Sequence, residues 1–389
     1  MRSLLFISLL LSLHSTFATN EAFKTRSIDV WRARNYTAVN EVRTVSAIQQ
    51  KCHGLQWDRL AVLAPDITDQ YTLGQLARMA ANAYALPGAP NWWDLDPVWT
   101  PSFPIGWENP IDGFRGHVFV HPDNSTVVLS IKGTTLNGPT SKADKLNDNL
   151  MFSCCCARVD VTWIFRTVCD CYAKHSRCDN TCLSESLVRE SLFYNIGVDL
   201  INNITTLFPT SDIWLVGHSL GGALASLLGT TYGLPAVAFE SPGELLASTR
   251  LGIPIPPEIA ITGNYTLAPV THVYHTADPI PQGRCTGRAS PCAQAGYALE
   301  TRCHLGTSIV YDTVGRLKWS VDIRTHPVKE LINRILDQDI WWEFGRHVPR
   351  ARAEEDCVDC PTWEFGEYFP PSEDPPADNT TFVVQDILA

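Results

Sequence analysis

Six residues, Gly217-His218-Ser219-Leu220-Gly221-Gly222, constrain the fold of this 389-residue chain more than any others. They follow an apolar run, Asp212-Ile213-Trp214-Leu215-Val216, and precede a stretch rich in Ala and Leu that reaches Tyr232. The run predicts a buried strand and the stretch a helix. A serine on so tight a strand-to-helix turn holds a strained backbone. Side chains two positions before and after it would keep the turn from closing, so glycine is required at both. The turn lifts the hydroxyl clear of the sheet and aims a helix N-terminus at developing negative charge. A bare G-x-S-x-G arises by chance. Between a strand and a helix it marks Ser219 as a candidate nucleophile, the alternative being a glycine-rich turn that only packs helix on sheet.

The surrounding pattern supplies the sheet. Val127-Val128-Leu129-Ser130-Ile131, Pro235 to Phe239 and Val270 to His275 read as further strands. Leu73, Leu76, Ala77, Ala80 and Tyr84 space out a helix from Thr72, and Leu183, Leu187, Tyr194, Val198 and Ile201 one long amphipathic helix. Val328 to Leu336 predicts another. Leu86 to Pro110, with Trp92, Trp93, Trp99 and Trp107, reads as an irregular loop, and residues 20–65 show no clear period. Strands alternating with helices imply a mostly parallel sheet covered on both faces, here an α/β-hydrolase fold with a cysteine-rich insertion. The expected division is an N-terminal segment 1–18, a stretch 19–64, a catalytic domain 65–345 with its insertion at 136–182, and an acidic, Pro-rich tail 346–389, read as a flexible extension from Cys357.

Hydrophobic residues make up 45% and charged residues 18%, which excludes wholesale disorder. A net charge of −11 argues against a general nucleic-acid binder. Met1-Arg2-Ser3, an aliphatic run from Leu4 to Leu13 and small residues ending at Ala18 fit a secretory signal peptide, with a retained signal-anchor as the alternative. Sequons at Asn35, Asn124, Asn203, Asn264 and Asn379 agree with a luminal glycoprotein, as do 13 cysteines. An odd count leaves at least one cysteine unpaired or bonded to another chain. The spacings Cys169-x-Cys171 and Cys178-x3-Cys182 allow zinc, but an oxidising lumen favours disulfides. No cofactor or metal is expected.

A serine nucleophile needs a base and an acid to orient it, in the chain order Ser, Asp/Glu, His for this fold. Asp278, just past the strand at 270–275, stands where the acid belongs. His326, in Asp322-Ile323-Arg324-Thr325-His326-Pro327, is the leading base and His304 the second candidate. His272 and His275 precede the acid and read as buried packing residues, His218 as tucked beneath the serine, and His347 as solvated. The N–H of Leu220 is one oxyanion donor. Thr134, in Lys132-Gly133-Thr134-Thr135 after an early strand, is placed as the other, with an ordinary turn as the alternative reading.

Together, Lys132-Gly133-Thr134, the Ser219 hexapeptide and Asp278-Pro279-Ile280-Pro281 resemble the class-three lipases of fungi. A closer likeness is to their vacuolar autophagic branch. It rests on Asp144-Lys145-Leu146-Asn147-Asp148-Asn149, Phe152-Ser153-Cys154-Cys155-Cys156-Ala157-Arg158, Phe239-Glu240-Ser241-Pro242-Gly243-Glu244, His304 with Tyr311-Asp312-Thr313, and Val321 to His326, across roughly residues 65–335. The resemblance implies a phospholipase and triacylglycerol lipase with a Ser219–Asp278–His326 triad, acting on membrane phospholipid. It further implies a type II single-pass glycoprotein that travels through Golgi and multivesicular bodies to the vacuole, where it lyses autophagic bodies. Two other readings stay open: a secreted esterase of soluble or wall-bound esters, and a silent hydrolase scaffold that binds lipid. Trp92, Trp93, Trp341 and Trp342 fit core or loop packing, with a bilayer interface as the alternative.

Overall fold

The computed structural model describes residues 23–35, 38–39, 55–108, 113–159, 162–163, 167–190, 192–256, 258–259 and 265–370. The N-terminal segment 1–18, Cys52, Asn264 and Asn379 lie outside them. In chain order the strands are β1 (Thr25–Ala33), β2 (Trp57–Pro65), β3 (Ser102–Ile105), β4 (Gly116–Val120), β5 (Thr126–Ile131), β6 (Arg158–Val159), β7 (Thr162–Trp163), β8 (Arg177–Asp179), β9 (Asp212–His218), β10 (Ala236–Phe239), β11 (Val270–His275), β12 (Thr307–Tyr311) and β13 (Glu364–Gly366). The helices used below are α1 (Gln70–Asn82), α2 (Ser141–Phe152), α3 (Asn180–Glu190), α4 (Leu192–Leu207), α5 (Leu220–Tyr232), α6 (Leu245–Arg250), α7 (Pro291–Gln294), α8 (Thr313–Leu317) and α9 (Val328–Leu331).

Seven strands form one sheet in the order β12-β11-β10-β9-β5-β4-β3. From β12 to β5 neighbouring strands run parallel, and β4 and β3 continue antiparallel. This is the α/β-hydrolase arrangement. Alternate residues face opposite cores because side chains alternate along a strand. Val127, Leu129, Ile131, Ile213 and Leu215 pack with α4 and α5. Val128, Trp214, Val216, Val237 and Phe239 pack with α1 and α9. A strand buried on both faces reads as the continuous apolar run seen in the sequence. Leu215 is fully buried, and truncating it to Ala would cost about 2–5 kcal/mol.

Register brings the strand ends level. Ile131 lies opposite Gly217, His218 opposite Phe239, and Phe239 opposite Val273. The carboxyl ends of β5, β9, β10 and β11 therefore meet at one edge of the sheet, where ligands bind in open α/β folds.

Several elements differ from the sequence expectation. The stretch 20–65 contributes β1 and β2, an antiparallel pair whose half-exposed faces carry no clean alternation. Part of the expected loop 86–110 is the edge strand β3, which tolerates Pro104 because one side of an edge strand needs no N–H. The single amphipathic helix is two, α3 packing on α2 and α6, α4 on α5. The last helix tightens to one α-turn and continues as a π-turn, Ile332–Leu336.

The tail is not a free extension over its described part. Cys357 is bonded to Cys303 and Cys360 to Cys154, and β13 pairs with β8. Asp179 also accepts the backbone N–H groups of Tyr368 and Phe369. The other disulfides join Cys155 to Cys178, Cys156 to Cys169, Cys171 to Cys182 and Cys285 to Cys292, so twelve of the thirteen cysteines are bridged. Trp92 packs edge-on against His117 and Trp342 against Tyr311, whereas Trp341 is 53% exposed.

Candidate active site

The elbow closes only because two residues lack a side chain. A Cβ at Gly217 would stand 2.2 Å from the carbonyl of Gly221, and one at Gly221 would stand 2.1 Å from that of Ile131. Between them Ser219 has φ of 58°, the left-handed region that costs a non-glycine residue about 1–3 kcal/mol. The strain is held by the surrounding strands: the Ser219 N–H donates to Phe239 O at 2.9 Å.

Three residues from three loops converge there. Ser219 Oγ lies 2.9 Å from His326 Nε2, and His326 Nδ1 lies 2.6 Å from Asp278 Oδ2. Asp278 follows β11, and its other oxygen accepts the Ile280 N–H at 3.0 Å. Burial would raise the Asp278 carboxyl, but the charge of His326 and the bond to it prevail and hold it below the usual value. Ser219 is only 8% exposed. The serine, acid and histidine ranked by chain order in the sequence thus come together in space, and His326 is the histidine that reaches the serine. His304 is not placed for it. Its Nδ1–H donates to Glu354 at 2.6 Å and its Nε2–H to Ser241 O at 3.1 Å.

His218 sits against His326, ring centroids 4.7 Å apart. Burial, followed by the charge of His326, depresses it to about 3, so it is neutral. Its Nε2–H donates to His326 O at 2.9 Å, and its Nδ1 accepts from the Tyr84 hydroxyl at 2.9 Å. Tyr84 reads in the sequence as one more apolar helix position. It lies two residues past the end of α1 and serves the site instead.

The α5 N-terminus leaves the N–H groups of Leu220 and its successors without intrahelical acceptors. Beside it the loop after β5 is tied down by α2. Asp144 accepts from Lys132 Nζ, the Thr135 N–H and the Thr140 hydroxyl, each at 2.9 Å. Asp148 accepts from the Thr134 hydroxyl at 2.5 Å. Burial, against the pull of that bond, pushes Asp148 up to about 8. Asp144 and Asp148 stand in the sequence only as part of a family resemblance, because nothing in their spacing tells that α2 folds back onto residues 132–135.

Among the described residues Glu244, His272 and His304 come close enough to share an ion. His304 does not suit one: Glu354 holds it protonated, up to about 9 against the effect of burial, so it offers N–H groups and no lone pair. The cysteine clusters are spent in disulfides. Of the sequons, Asn124 is an exposed turn residue with φ of 59°, Asn35 is exposed, and Asn203 is half-buried on α4. No helix among the described residues is long and apolar enough to cross a membrane.

Comparison with known proteins gives three results. A family model described as lipase (class 3) matches residues 170–284. A protein of Cryptococcus neoformans var. neoformans serotype D named "Putative lipase ATG15" is 44% identical over 373 residues, 80% of this chain and 70% of the relative. One of the same name from Mycosarcoma maydis is 40% identical over 400 residues, 88% of this chain and 76% of the relative. Among solved structures, the Lip2 lipase of Yarrowia lipolytica is 17% identical over 61% of this chain and 77% of its own, with a TM-score of 0.33.

Proposed function

This chain belongs to the ATG15 family of lipases, with a class 3 lipase segment at its centre, and from that premise we propose that it hydrolyses acyl esters of membrane phospholipids and triacylglycerol with Ser219 as nucleophile. The observation that carries the reading is the unbroken hydrogen-bonded chain Ser219–His326–Asp278 at the carboxyl edge of a parallel sheet.

In this reading the Ser219 hydroxyl gives its proton to His326 Nε2 as Oγ attacks the acyl carbonyl. Asp278 fixes the ring and balances the imidazolium. The departing alkoxide, a lysophospholipid from phospholipid or a diacylglycerol from triacylglycerol, takes the proton from His326, leaving an acyl-Ser219 ester that water cleaves by the same exchange. Leu220 and Thr134 donate N–H groups to the oxyanion, each such donor being worth about 100-fold or more in rate. With Asp148 neutral, its own O–H can donate to Thr134 Oγ, which releases the threonine hydrogen to the oxyanion as well.

The biological setting is the vacuole lumen, reached through the secretory pathway as a type II protein held by its N-terminal segment, with lysis of autophagic bodies and multivesicular-body vesicles as the outcome. The disulfides, the sequons at Asn35, Asn124, Asn203, Asn264 and Asn379 and the family name support this. The test is fatty-acid release from phospholipid vesicles at about pH 5. The luminal chain should be active, and Ser219→Ala and His326→Ala should abolish release. Cleavage of a short soluble ester with inert vesicles would leave an esterase instead.

A further inference from the structure

Phe239 ends β10, and Glu240 follows it with φ of 45°, a backbone state natural to glycine and strained for glutamate. The side chain is fully buried beside the candidate site. Its carboxyl accepts the His275 N–H, at 3.2 Å to one oxygen and 3.4 Å to the other. The same carboxyl is hydrogen-bonded to that of Asp278. Two carboxyl groups bond to each other only if one keeps its proton. Asp278 already accepts from His326, so the proton resides on Glu240.

We infer that Glu240 is a positioning residue for Asp278: it donates a hydrogen bond from a neutral carboxyl, fixing the acid and limiting the charge that Asp278 turns toward His326. The inference rests on the Ser219–His326–Asp278 reading above. Burial, then the charge of Asp278 and the bond to it, hold Glu240 well above the usual carboxylate range. The titratable groups around it agree. On β11, His275 Nε2 lies 3.7 Å from a Glu240 oxygen and donates to Thr325 O at 3.2 Å, burial holding the imidazole below its usual value, and the Tyr274 phenol is pushed up by burial and by Glu354. His218 on β9 is neutral, and the charge of Arg334 acts on His275. The basic group that the described surroundings set against Glu240 is His275, whose protonation burial opposes. At acid pH the pair stays singly charged, and His326 meets a partner whose charge is shared.

Removing the donated hydrogen leaves Asp278 with its full charge toward the base, which favours the imidazolium and moves the acid limb of kcat/KM to higher pH. The test measures hydrolysis of a short soluble ester by pH-stat, with the full chain, from about pH 4 to 9. Glu240→Gln keeps a neutral donor and should stay within about 3-fold of wild type with its acid limb in place. Glu240→Leu should lose about 10-fold in kcat and shift the limb upward by about half a pH unit. Glu240→Gly relieves the backbone, so it should melt no lower than wild type and still show the same loss. Unchanged kcat and limb in the Leu and Gly variants overturn the assignment, as does a Gln variant as impaired as Leu. Ser219→Ala, run alongside, separates the two layers: its inactivity with unaffected Glu240 variants removes Glu240 alone, whereas full activity removes both readings.

Discussion

His218 Nε2 donates to the backbone carbonyl of His326 at 2.9 Å, so the residue before Ser219 holds the loop that carries His326. The bond ties two loops 108 residues apart through an imidazole whose other nitrogen is held by Tyr84. Neutral at every physiological pH, His218 is a fixed strut between the elbow and the loop at 323–326.

Replacing His218 with Phe keeps a planar ring and removes the donor. Ester hydrolysis should fall about 10-fold in kcat with little change in KM, because the loss is of geometry at His326 and not of substrate contact. Steady-state kinetics on a soluble ester read this directly. An unchanged kcat would mean that packing alone holds the loop.

Asp148 keeps its proton below about pH 8 and ionises above it. The folded chain binds that proton more tightly than the unfolded one, so the associated stability is full below the ordinary carboxylate range and is lost as pH rises through about 8. Wild-type kcat should decline across the same interval as the ionised carboxylate recaptures the Thr134 hydrogen. Asp148→Asn stays neutral, so it should keep its rate there. Thr134→Val, which spares the N–H, should cost about 10-fold at acid pH.

His304 and Glu354 form a buried ion pair with opposite limits. Glu354 is depressed to about 2, by the His304 bond and charge working against burial, so its contribution is present above its usual value near 4.5 and is lost as pH falls through about 2. His304 is raised to about 9, so its contribution is complete below 6.5 and is lost as pH rises through about 9. The melting temperature should therefore peak between about pH 4.5 and 6.5 and decline on both sides. Glu354→Gln should flatten that dependence and cost about 3–5 kcal/mol by leaving a buried imidazolium unpaired.

The Cys303–Cys357 bridge closes 54 residues, a loop for which chain entropy alone predicts about 4 kcal/mol. The double Ser variant should melt lower and yield to limited proteolysis after Arg350 and Arg352 sooner than wild type. Equal protection would show that Glu354 and β13 suffice to hold the segment.

What the sequence reveals follows from how local each signal is. The elbow, β9 and α5 are legible because glycine spacing, a buried apolar run and an Ala/Leu helix are all written within about twenty consecutive residues. Asp278 and His326 are legible through chain order, which ranks candidates without measuring distance. Tyr84, Asp144, Asp148 and Glu240 are not, because each acts across a tertiary contact. Tyr84 looks like one more apolar helix position, and a buried Glu240 looks like a polar residue at a strand end. β1 and β2 escape because neither face is cleanly apolar, and the bridged tail because its acidic, Pro-rich composition resembles that of segments lacking partners.

Cys154 and Cys360 lie 206 residues apart in sequence, and the bridge between them has a consequence for how the molecule ages. A single hydrolysed peptide bond anywhere between the two cysteines leaves both fragments on one covalent molecule, since the remaining route runs through the sulfurs. The three site loops, at Ser219, Asp278 and His326, all fall inside that interval. Where a protease cuts this chain once inside that interval, no piece is shed, and a full-mass band on a non-reducing gel does not tell the intact chain from the nicked one.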